Sequence, residues 1–146
     1  MKHIVRSAFL IFAFCAATAH ADLRRSINDR DIHPEDAFLI DAQCSAVFQI
    51  LVDIGNQRGA EAVTEWTKRA SFMAAQAING HGIQFQSTLD IATPLIEDTV
   101  VREHAAYTNG LQSTDPATAE HEAARFLNDV KFCNLRMLAL AAILEG

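Results

Sequence analysis

The sequence is poor in residues that break a chain. Its 146 residues include six Gly and three Pro. That is too few for a collagen-like or low-complexity polypeptide, or for a sandwich of many short strands and turns. Basic residues are scarce too: 12 Lys and Arg stand against 18 Asp and Glu, a net charge of −6. A nucleic-acid binder needs a basic surface to meet phosphates, so this balance argues against that class. There are three cysteines and no CxxC or CxxCH, which leaves thioredoxin-type redox chemistry and covalent haem attachment without their motifs. GxSxG, P-loop, GxGxxG and HExxH signatures are likewise missing. No segment alternates apolar and polar residues long enough to read as a strand, and there is no internal repeat. Apolar side chains are what the chain has in quantity. They make up half of it, which excludes intrinsic disorder and provides the core of one domain.

The first 21 residues read as a cleavable secretory signal. Lys2 and Arg6 form a positive start, residues 7–17 an apolar run, and Ala19-His20-Ala21 the small-x-small pattern of a peptidase site. The run is shorter than the roughly 18 residues needed to span a bilayer, and no later segment reads as a stop-transfer helix. Removal of the leader would leave 125 residues carrying ten basic and 18 acidic side chains, a charge of −8. Such acidity keeps a protein soluble and away from anionic lipid. Two cysteines would remain, Cys44 and Cys133. Export takes a chain where disulfides persist, and two cysteines allow a single intramolecular bridge.

The remainder reads as helical. Residues 22–33 form a polar arm of mixed charge, expected to be mobile, and residues 34–146 a single domain. From Pro34, with Glu35 and Asp36 at the positive end of the helix dipole, a helix is expected to about residue 54. Its apolar stripe is Ala37, Ile40, Cys44, Val47 and Leu51, and Gly55-Asn56 and Gly59 punctuate its end. A second helix spans 60–79 and stops at Asn79-Gly80. A third covers 83–109, kinked or split at Pro94 with Thr93 capping the second part, and ends at Asn109-Gly110. The fourth starts at Asp115 and Pro116, a capping residue followed by a first-turn proline. It runs to about residue 144 and is apolar nearly all round beyond Phe132, which predicts a central place for its second half. The fold class is therefore all-α, an antiparallel four-helix bundle with its first and last helices joined by Cys44–Cys133.

That bridge fixes a register. Stepping outward from it in antiparallel sense sets Asp41 against Arg136, Ile40 against Met137, Ala37 against Leu140, Val47 against Val130 and Leu51 against Phe126. Apolar meets apolar, and Arg136, isolated in an apolar stretch, gains a partner in Asp41.

Several constellations invite a chemical reading. Glu97, His104 and His121 would suit a metal if neighbouring helices gathered them, although helix ends routinely carry solvated His and Glu. Met73 with His104 or His121 would suit haem, although a Met on an apolar stripe more often fills a gap. Phe38, Phe48, Phe72, Phe85, Phe126, Phe132 and Trp66 either line a cavity or pack the core. No cofactor and no catalytic residue is singled out.

The resulting expectation is a small, exported, non-enzymatic binding or accessory protein of the bacterial periplasm. It would act through a helix surface on a protein partner in the cell envelope, without nucleic acid and without a membrane span after leader removal. A carrier of a small apolar ligand is the second expectation, and an enzyme or metal protein built on Glu97, His104 and His121 the third. N-terminal sequencing of the protein recovered from its producing cell should begin at Asp22. Recovery of a stable chain still starting at Met1 would remove the leader and the compartment together.

Overall fold

The fold comes from a computed structural model, which describes residues 26, 27 and 33–145. The leader at 1–21 and most of the polar arm lie outside the described residues. After a 3-10 turn at Pro34–Asp36 come four helices: α1 Ala37–Arg58, α2 Val63–Phe85, α3 Leu89–Leu111 and α4 Pro116–Glu145. No strand occurs among the described residues.

Side-chain contacts fix the up-down-up-down order. Gly80, His81 and Phe85 of α2 meet Phe38 at the start of α1, while Trp66 and Val63 meet Gly55 near its end. Tyr107 and Gly110 of α3 meet Phe126 and Glu122 of α4. Cys44 and Cys133 form a disulfide between α1 and α4. Arg136 donates to both Asp41 oxygens and, at 3.5 Å, to the Ala37 carbonyl. The residues paired by the antiparallel register, Ile40, Met137, Leu140, Val47, Val130, Leu51 and Phe126, belong to one apolar cluster.

The central helix is α1. Nearly every position from Phe38 to Ile50 is buried, the polar Asp41 and Ser45 among them, and Ser45 is satisfied by donating its hydroxyl to the Ala70 carbonyl at 2.9 Å. One side of α1 packs with Met73, Tyr107, Phe126 and Cys133. Another packs Phe38, Ala42 and Ala46 against Ala77, Ile96 and Val100. By length and hydropathy α1 is apolar enough to cross a membrane, which corrects the expectation that no later segment would be. Its apolarity serves the interior. The second half of α4, expected at the centre, is instead peripheral: Leu135, Leu138, Ile143 and Leu144 are exposed. An all-round apolar pattern does not say which helix is enclosed, and it is α1 that contributes more buried positions than any other helix while touching all three others.

Three expected stop signals are interior positions. Gly55, Gly80 and Gly110 lie within α1, α2 and α3, respectively. A Cβ on Gly55 would come within 2.7 Å of Trp66 and Val63, one on Gly80 within 3.1 Å of Phe38, and one on Gly110 within 2.6 Å of Glu122. Each glycine admits a neighbouring side chain instead of ending its helix. Gly59 does end one, with φ +65° at the close of α1. The break around the third helix also moves. Helix α2 continues to Phe85, Gln86 turns left-handed at φ 51°, and Thr88 in extended conformation opens α3. Pro94 sits inside a continuous α3, so the segment is not split there and Thr93 caps nothing. Asp115 caps α4 as expected, accepting from the Thr118 amide at 3.0 Å.

The disulfide encloses α2 and α3 in a covalent loop with a sequence separation of 89. In the chain-entropy account, opening such a loop lowers stability by about 4–5 kcal/mol. Denaturant titration of the oxidised protein and of the Cys44→Ala/Cys133→Ala variant should differ by that order. A difference below about 1 kcal/mol would contradict the account.

Candidate functional site

The most concentrated chemistry among the described residues is a buried polar cluster between α3, α4 and the N-terminal segment. Glu122, Arg125 and Asp129 lie on one face of α4, at spacings of three and four residues. All three are buried. Asp129 is the hub. One oxygen accepts from Ser26 Oγ at 2.5 Å and from the Ile27 amide at 2.7 Å; the other accepts from Tyr107 Oη at 2.6 Å and from Arg125 at 3.4 Å. Arg125 also donates twice to Glu122, at 2.5 and 3.0 Å, and its guanidinium lies 4.0 Å from the centre of the Tyr107 ring. Burial works against the Arg125 charge; Glu122, with Tyr107 and Asp129, outweighs it and raises the guanidinium above its ordinary value. The arm, read as mobile from its composition, is thus anchored at Ser26 and Ile27, and Ile27 enters the main core. The cluster ties α3, α4 and the segment at Ser26–Ile27 together.

Sequence reasoning missed Tyr107, Glu122, Arg125 and Asp129. A signal was available. Asp129 is one helical turn from Cys133 and Arg125 one turn further, so both share the interior face that the disulfide defines.

Asp41 and Arg136 form a second, smaller pair. Burial lifts the Asp41 carboxyl above its ordinary value, and the hydrogen bond and charge of Arg136 pull against that rise.

The proposed metal residues are not gathered. Glu97 borders a groove of about 470 Å³ over α1, between α2 and α3. His104 reaches Asp53 on α1 at 2.7 Å and borders a separate cavity of about 210 Å³. His121 lies on the first turns of α4 and borders neither. No group of three or more His, Cys, Asp or Glu suited to a metal occurs among the described residues. Met73 is wholly buried in the main core. Of the aromatics, Phe38, Phe48 and Phe126 are buried and Phe72, Phe132 and Trp66 partly so, whereas Phe85 is exposed.

The exposed Phe85 belongs to a wider pattern. The topology brings the start of α1, the end of α2, the start of α3 and the end of α4 to one end of the bundle. Among the described residues, all the large exposed apolar side chains except Val101 and Leu127 fall in that half. Ile83 is 82% exposed and Ile143 75%. The corner that presents them is rigidly built. Phe38 meets His81 and Phe85 edge-on at 5.2 and 5.6 Å, and His81 Nδ1 pairs with Ser87 Oγ at 2.8 Å across the turn into α3. The groove over α1 is also largely apolar, with small residues Ala70, Ser71 and Ala74 along one wall.

No family model, curated protein or solved structure matches the chain.

Truncation at the hub tests the polar cluster. Asp129→Ala takes from Ser26, Ile27, Tyr107 and Arg125 the acceptor they share, which lowers unfolding stability by about 3–5 kcal/mol. Glu65→Ala, at an exposed pair with Arg69, changes it by less than about 1 kcal/mol. Equal effects of the two substitutions, measured by denaturant titration, would contradict a structural role for Asp129.

Proposed function

We propose that this protein is a small exported binding or accessory module of the bacterial cell envelope, acting without catalysis through a helical surface on a protein partner. One observation carries the reading. Large apolar side chains that the molecule has not buried are collected at one end of the bundle, where Ile83, Phe85, Ile143 and Leu144 are exposed. Scattered exposed apolar residues are ordinary, whereas a concentration of them marks an interaction surface. The disulfide supports an oxidising compartment, in keeping with the leader read from the first 21 residues.

Site-specific photo-crosslinking in intact producing cells tests this. A crosslinker at Phe85 or Ile143 should yield one discrete protein adduct, and one at Glu61 or Thr64, at the opposite end, should not. Absence of adducts from both ends, or the same adducts from both, would defeat the proposal. The groove of about 470 Å³ supports a second reading, a carrier of a small apolar ligand. Native mass spectrometry separates the two, because a carrier purified gently retains a bound small molecule.

A further inference from the structure

The charges around the apolar end are one-sided. Glu35 and Asp36 before α1 and Asp90 in the first turn of α3 are exposed there. Among the described residues, Lys and Arg avoid it. Arg58, Lys68, Arg69 and Arg125 lie in the opposite half, and Lys131 and Arg102 near the middle. The single Lys or Arg on this side among the described residues is Arg136, and its guanidinium is held by Asp41 and the Ala37 carbonyl. Among the described residues, the end of the bundle therefore presents apolar side chains framed by carboxylates, with no free guanidinium or ammonium.

This frame discriminates between occupants. A second copy of the chain would bring the same carboxylates face to face. An anionic lipid surface would repel them, and the cations that ordinarily draw a protein to such a surface are lacking among the described residues. An apolar surface edged with Lys or Arg meets both features at once, since opposite charges at a rim steer encounter and set partner choice. The geometry points to an amphipathic helix of a protein partner, laying an apolar stripe across Phe85, Leu89 and Ile143 with basic residues along its flanks. This rests on the surface reading above and adds the chemistry of the partner.

Fluorescence anisotropy on the processed chain (residues 22–146) with two labelled synthetic helices tests it. The helices share one leucine face and differ in flanks, Lys in one and Glu in the other. The Lys helix should bind at least tenfold more tightly. Its affinity should fall severalfold as salt rises from about 0.1 to 1 M, because the screening length shortens from about 10 to 3 Å. Glu35→Gln/Asp36→Asn/Asp90→Asn should erase the preference while leaving the helical circular dichroism intact, and Phe85→Glu/Ile143→Glu should abolish binding of both helices. Equal binding of the two helices overturns the charge inference and leaves the apolar surface standing. Binding of neither helix overturns both. Capture by lipid vesicles in place of the helices, or a dimer in sedimentation that Ile143→Glu dissociates, overturns it in favour of a membrane or of a second copy.

Discussion

The enclosure of α1 governs the rest of the structure. In a regular bundle each helix keeps an outward polar face. From Phe38 to Ile50 this one has almost none. Its neighbours are arranged to cover it: α2 through Ala70, Met73 and Ala77, α3 through Ile96, Val100 and Tyr107, and α4 through Phe126 and Cys133. Glycines at 55 and 80 set how closely the second helix approaches the first, with Trp66 and Phe38 filling the space that a Cβ would take. Once one apolar helix occupies the centre, a second apolar stretch has no interior left to enter. The outward leucines of α4 follow from that geometry, and they leave the molecule with a polar end and an apolar end.

Burying charge in so small a core is costly unless every group is met. Around Asp129 the requirement is satisfied by bringing in the segment that precedes the bundle. Ser26 and Ile27 supply two of the four donors, and the Ile27 side chain fills space beside the main cluster. The anchoring is therefore polar and apolar at once. Arg125 is shared between two carboxylates and stacked on Tyr107, which ties α3, α4 and the segment at Ser26–Ile27 into one unit.

Much of this architecture is legible in the residues. The three- and four-residue spacing of apolar positions yields four helices, Asp115-Pro116 marks the start of the last, and two cysteines lead to one bridge. The antiparallel register of that bridge accounts for the position of Asp41 beside Arg136. Four things are hidden for identifiable reasons. Glycine reads as a stop because its backbone freedom is a local property, whereas the closeness of Phe38 to Gly80 or of Glu122 to Gly110 depends on another helix. Pro94 reads as a break, yet α3 runs on through it; the loss of one amide is outweighed by the packing of Ala92, Ile96 and Val100 on either side, which depends on other helices. The buried cluster is masked by composition, since Glu120-His121-Glu122 and the acids after it look like a solvated face. Which side of the bundle would stay apolar and uncovered depends on which helix wins the centre, and no periodicity within one helix decides that.

The bridge also determines how the molecule would carry tension. It ties α1 to α4 about two turns in from α1's first residue and about three turns before α4's last. A pull between His33 and the C-terminal end would travel through the short start of α1, across the sulfur atoms, and out along the last turns of α4. Helices α2 and α3, inside the covalent loop, would lie off that load path. Stretching the protein between those two points would peel its rim and leave the enclosed helices slack.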